Sequence, residues 1–215
     1  LTANGQNALF AKNGSKGALF SFATGERLTD YIFDDVAKKL VQGKYLKVTV
    51  DGKEGLYDLS AQEYFVPCEF DHIDLLHKYR RNDYLLVCNG HKYGLYSVKK
   101  EKMIIPAIYD QIILKGAYAQ LKQGQTSKIY SILKNDMVKM GLAYQSIELL
   151  DDGYALMFTS SESGVYDIFR SRWQLRFGAR TRRDFSNGEF NDLGDNLFFI
   201  PGYGVWDYLS GSWAV

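Results

Sequence analysis

The chain repeats itself at a nearly fixed interval, and that constrains its fold more than any other feature. Residues 50–58 read VDGKEGLYD, and residues 88–97 say something close to it, CNGHKYGLYS. Aligned on the glycine of GLYD, six anchors appear at Gly17, Gly55, Gly94, Lys128, Gly164 and Gly204, Lys128 standing in for the glycine. The steps between them are 38, 39, 34, 36 and 40 residues. A period of this size is the mark of a solenoid, a propeller or another array, in which one supersecondary unit packs on the next.

Each anchor follows an apolar run and a polar turn. The runs read NALFAK, YLKVTV, YLLVC, YAQLK, YALMF and LFFI. Asn13-Gly14, Asp51-Gly52 and Asn89-Gly90 supply residues that tolerate the positive φ of a tight hairpin. Each unit is therefore expected to contain a β-hairpin, with Gly55 letting the returning strand lie against a neighbour or a bulge. Tyr57, Tyr96, Tyr130, Tyr166 and Trp206 occupy one position of the repeat, as a recurring core contact between units would require. Only Trp173 and Trp213 fall outside that position.

A second signature follows the hairpins: an aromatic-Asp pair, one variable residue, then an aliphatic. It holds Asp34, Asp71 and Asp110. Aromatic and aliphatic are three apart, so one straight strand cannot place both on one face. A bend or bulge at the Asp is expected, with the carboxylate accepting backbone N–H groups. The alternative is a ring of acids around a channel.

Together these motifs resemble the WG (KWG) repeat of bacterial proteins. The best matches are KEGLYD (53–58) with VPCEFD (66–71), and KYGLY (92–96) with IPAIYD (105–110). The likeness covers residues 10–150 well and 151–215 loosely. No Trp precedes the repeat glycine, and Lys128 replaces that glycine in the fourth copy. The resemblance implies an all-β repeat protein and supplies no catalytic residues. A bacterial envelope or secreted location is an expectation of the same origin, together with the missing N-terminal Met.

The expectation is thus a single all-β domain over 1–215 of about six hairpin repeats. A propeller-like ring is favoured over an open array, because neither end shows the polar cap that arrays need. Net charge is +1, which argues against a nucleic-acid partner, and no apolar run approaches a membrane span.

One local feature stands out. After Lys139 the only basic residues are Arg170, Arg172, Arg176, Arg180, Arg182 and Arg183. In an unbroken strand Arg170, Arg172 and Arg176 share one parity, with Trp173 and Phe177 on the other. Arg suits carboxylate or phosphate recognition, so the segment is read as an anion- or partner-docking face. The competing reading is a charged edge that resists aggregation.

Cys68 and His72, then Cys88 and His91, spell two candidate zinc pairs, but repeat positions assign them to strands and turns, and no metal is expected. A Cys68–Cys88 bridge stays open. The oxygen-rich loop 186–196 lacks the EF-hand order. No nucleophile elbow, zinc-protease or P-loop motif is present. The expected function is a non-catalytic interaction scaffold without a cofactor, its partner another protein. A carbohydrate- or envelope-binding module is the alternative, and an enzyme with a site built across repeats the second.

Overall fold

The computed structural model describes residues 2–3, 6–41, 43–75, 83–150, 153–178, 191–200 and 203–214. Among them every named element is a β-strand, and the strands form six antiparallel sheets. The first sheet has β1 (Thr2–Ala3), β2 (Gln6–Asn13) and β3 (Lys16–Ser21). The second has β4 (Asp35–Val41), β5 (Tyr45–Val50), β6 (Lys53–Asp58) and β7 (Glu63–Phe70). The third has β8 (His72–Leu75), β9 (Tyr84–Asn89), β10 (Lys92–Ser97) and β11 (Lys102–Tyr109). These lie in one compact unit, Leu1–Tyr109.

A second unit, Asp110–Val215, holds the other three sheets. The fourth has β12 (Gln111–Lys115), β13 (Tyr118–Gln123), β14 (Thr126–Ser131) and β15 (Asp136–Met137). The fifth has β16 (Ser146–Leu149), β17 (Tyr154–Phe158), β18 (Glu162–Asp167) and β19 (Arg172–Gly178). The sixth has β20 (Asn191–Gly194), β21 (Leu197–Ile200), β22 (Gly204–Asp207) and β23 (Ser212–Trp213). The repeated hairpin supplies the two inner strands of each four-stranded sheet.

The hydrophobic-aromatic pair works by strand alternation. In β6, Tyr57 packs with Leu19 and Phe33 against the first sheet, while Leu56 joins Ile73, Leu85 and Tyr96 against the third. In β18, Tyr166 packs on Ile129 of the fourth sheet and Val165 on Phe198 and Trp206 of the sixth. One residue of the pair thus grips the preceding sheet and its neighbour the next. Both faces of an inner sheet are covered, which is why its inner strands read almost wholly apolar.

The repeat glycine makes room for a bulge. Glu54 pairs with Phe70 and Leu56 with Val66, so Pro67, Cys68 and Glu69 all crowd opposite Gly55. A Cβ there would stand 2.6 Å from the Val66 carbonyl oxygen and 2.7 Å from Cys68 Sγ. Gly94 meets the same bulge at Pro106, where an added Cβ would stand 2.7 Å from the Ala107 backbone nitrogen. Proline fits a bulge because the ladder needs no N–H there. The first copy requires a correction of one residue: in KGALFS against KEGLYD, Ala18, and not Gly17, takes the place of Gly55. Gly17 instead lies under the Phe10 ring.

Asp34, Asp71 and Asp110 stand where the chain leaves one sheet for the next, which separates the aromatic from the aliphatic. Their carboxylates accept the turn N–H of the following hairpin, from Gly52 (3.2 Å), Gly90 (2.7 Å) and Gly124 (2.7 Å). Lys16 reaches Asp34 at 2.8 Å and Lys53 reaches Asp71 at 2.6 Å, tying the preceding sheet to the same carboxylate. These contacts hold both acids below the usual carboxylate range, the Lys bond first and the Gly N–H second.

Candidate functional site

The last residue of each third strand is Asp or Ser, and in all six sheets its side chain caps the turn that follows. Ser21 accepts from Thr24 N, Asp58 from Ser60 and Ala61 N, and Ser97 from Lys100 N. Ser131 accepts from Lys134 N, Asp167 from Arg170 N, and Asp207 from Leu209 and Ser210 N. In the same turn φ is positive at Gly25, Gln62, Glu101, Asn135, Ser171 and Gly211, and in the five four-stranded sheets this residue immediately precedes the fourth strand. The same tight turn is therefore built six times, and it brings the same two positions to its tip each time.

What sits at the tip differs between the units. In 1–109 the residue two beyond the cap is Ala23, Ser60 or Lys99. In 110–215 it is Leu133, Phe169 or Leu209, with relative exposures of 80%, 74% and 49%. Apolar groups at exposed turn tips gain nothing from the fold. The fourth, fifth and sixth sheets stack in order through the cores around Tyr166 and around Trp206. The three tips consequently follow one rim of the unit, spaced by stacked sheets that pack ~10 Å apart.

Between the first two tips lies a groove of about 360 Å³, lined by Tyr118, Lys134, Met137, Lys139, Phe169 and Ser171 among others. A groove of about 310 Å³ occupies the matching place in the other unit, lined by Asn7, Ser21, Phe22, Leu28, Leu59 and Gln62 among others. The tips were legible in principle. Reading the second residue after each G-h-aromatic-[D/S] would have exposed the change from small or polar to apolar.

The arginine segment begins at this rim. Arg170 Nη1 reaches Asp167 at 2.8 Å, closing its own turn, and Arg176 Nη1 reaches Glu162 on β18 at 3.1 Å. Arg172 forms no ion pair with a described residue. The shared face expected for these arginines is not formed. Tyr166 pairs with Trp173 and Val165 with Leu175, so Gln174 is bulged and the strand parity reverses there. Arg172, opposite Asp167, and Arg176, opposite Gly164, point to opposite faces of β19. Arg180, Arg182 and Arg183 lie outside the described residues, as do residues 186–190 of the oxygen-rich loop.

Trp173 and Trp213 occupy a repeated position after all. Trp173 is the cross-strand partner of Tyr166, Trp213 of Trp206, and Tyr64 of Tyr57. Cys68 packs against the core between the first and second sheets, and burial pushes its thiol up to about 11. Cys88 pairs with His72 across β8 and β9, and His91 lies in the β9–β10 turn. Both cysteines are free. No cluster of three or more His, Cys, Asp and Glu suited to a metal exists among the described residues.

No protein-family model and no curated protein sequence matches the chain. Solved structures of Hsv2 are similar in part. Hsv2 of Kluyveromyces lactis is 7% identical over 83% of this chain and 62% of that one, with a TM-score of 0.32. Hsv2 of Kluyveromyces marxianus is 8% identical over 84% and 64%, with a TM-score of 0.34. A second Kluyveromyces lactis Hsv2 structure, with complete loop 6CD, is 5% identical over 80% and 59%, with a TM-score of 0.31. The chain thus spans less than two thirds of those proteins, and likeness at this level constrains neither ligand nor activity. No helix among the described residues is long and apolar enough to cross a membrane.

Proposed function

We propose that the protein is a non-catalytic interaction scaffold of WG-like β repeats whose partner is another protein, engaged at the turn rim of the 110–215 unit. The observation that carries this reading is the exposed row Leu133, Phe169 and Leu209. The repeated polar groups are occupied in holding the fold: Asp34 and Asp71 join sheets, and Asp58, Asp167 and Asp207 cap turns. Exposed aromatic and aliphatic side chains at a rim are the usual anchors of a protein interface. The test is a triple substitution, Leu133→Ser, Phe169→Ser and Leu209→Ser. It is expected to leave the melting temperature unchanged and to abolish retention of a partner that the wild type retains and that zero-length cross-linking maps to this rim. Retention at wild-type level would refute the reading.

A glycan reading has one observation of its own. Tyr203 and Trp213 are both exposed and stack with planes 13° apart and centroids 6.1 Å apart, a flat apolar face of the kind sugar rings use. Binding on a glycan array that is lost on Trp213→Ala would favour it, and a blank array would remove it.

A further inference from the structure

The two inter-sheet grooves lie at equivalent turns and differ in charge. The one in 1–109 is lined by apolar and uncharged polar groups. The one in 110–215 carries Lys134, Lys139 and Asp136. Asp136 uses its carboxylate on the Met137 N–H at 2.7 Å. Neither lysine forms an ion pair with a described residue, and Arg172, adjoining the groove at the start of β19, forms none either. Arg170 next to it is already neutralised by Asp167. Tyr118, Met137, Val138 and Ile168 supply the apolar part of its lining, the polar part being the larger, and Phe169 lines it with an exposed ring.

Resting on the scaffold reading above, we propose that this groove seats an acidic, extended segment of the partner protein, with one apolar side chain inserted between the turns 131–135 and 168–171. A volume of 360 Å³ accommodates an aliphatic or aromatic side chain with part of its backbone. Lys134 and Lys139, without an ion-pair partner among the described residues, attract carboxylates beside that anchor and repel a basic segment, so charge sets the choice of partner and the apolar insertion holds it. A flat anionic surface would meet the tips but could not fill the space between them.

The test is selection of a displayed random-peptide library on the intact protein, followed by fluorescence anisotropy of the best synthetic peptides. The expected peptides carry two or more Asp or Glu around a single Leu, Ile, Phe or Trp. Lys134→Glu with Lys139→Glu is expected to weaken them at least about tenfold, and raised salt to weaken them as well. Phe169→Ser is expected to weaken them with circular dichroism unchanged. Rim-dependent peptides that are basic or uncharged, or affinity indifferent to the lysine reversal, would overturn this inference alone. No rim-dependent peptide at all would overturn the scaffold reading with it. Binding to vesicles of phosphatidylcholine and phosphatidylserine, lost on the same lysine reversal and without any selected peptide, would overturn the protein partner in favour of a membrane surface.

Discussion

Tyr166 and Trp173 meet edge to face across β18 and β19, with ring centroids 5.5 Å apart and planes at 89°. Tyr57 and Tyr64 repeat the relationship at 5.5 Å and 84°, and Trp206 and Trp213 at 4.9 Å and 76°. Trp173 is therefore a packing partner of the repeat aromatic, placed in the core between the fourth and fifth sheets. Trp173→Ala is expected to cost about 2–4 kcal/mol in denaturant unfolding, the range of a partly buried aromatic truncation with its ring pair. An unchanged midpoint would assign Trp173 to binding instead.

Gly55 and Gly94 face backbone atoms that cannot retreat without closing the bulge opposite them. Gly55→Ala is expected to destabilise by roughly 1–3 kcal/mol, as overpacking does. Gly141→Ala, where nothing lies within 4 Å of the added Cβ, is the control and should be neutral or slightly stabilising. Equal effects at both positions would contradict the bulge account.

Asp34 and Asp71 have folded pKa values below the ordinary 3.8 because Lys16 and Lys53 and the turn N–H groups favour the charged form. A depressed carboxyl contributes stability that is present above its unfolded value and is lost as pH falls through the folded one. The melting temperature is thus expected to fall below about pH 4, and less steeply in Asp34→Asn with Asp71→Asn, which should already melt lower at pH 7. Parallel acid limbs in the two proteins would count against the clamp.

The Cys68 thiol is pushed up to about 11 by burial, with the Val50 backbone pulling weakly the other way. The unfolded thiol ionises near 9, so the contribution of this group is complete below that and declines as pH rises toward 11. Alkylation of native protein at pH 8 is expected to be far slower at Cys68 than after unfolding. Equal rates would show an open thiol.

Much of this architecture is written in local sequence, and the reason is physical. Asp51 and Gly52 have φ of 51° and 75°, which Asp-Gly tolerates, so the hairpin register is set within four residues. The alternation of Leu56 and Tyr57 needs only the period of a strand. The Asp71 clamp is half visible: the residue declares a bend, but its acceptor role toward Gly90, 19 residues on, depends on how successive sheets lie. Arg172 and Arg176 do not share the face that their spacing implies because a single bulged residue, Gln174, reverses parity, and nothing in RSRWQLRFG marks it. Lys47 and Gln120 were invisible for a similar reason. They hold equivalent places in β5 and β13 and donate to the Ile73 and Ile147 carbonyls at 2.9 and 2.7 Å, bonds that exist only once the next sheet has docked.

The central claim is that the second sheet of 1–109 and the fifth sheet of 110–215 are each locked between their neighbours by an aliphatic facing one way and an aromatic facing the other. The double variant Leu56→Tyr with Tyr57→Leu preserves composition and total side-chain volume and exchanges the two faces. Its thermal midpoint, followed by circular dichroism, is the most direct measurement. The account predicts a fall of more than about 10 °C or loss of a cooperative transition, since both inter-sheet cores are mispacked and each kcal/mol shifts a chain of this size by about 2–4 °C. A midpoint within about 2 °C of wild type, less than one such kcal/mol, would contradict it.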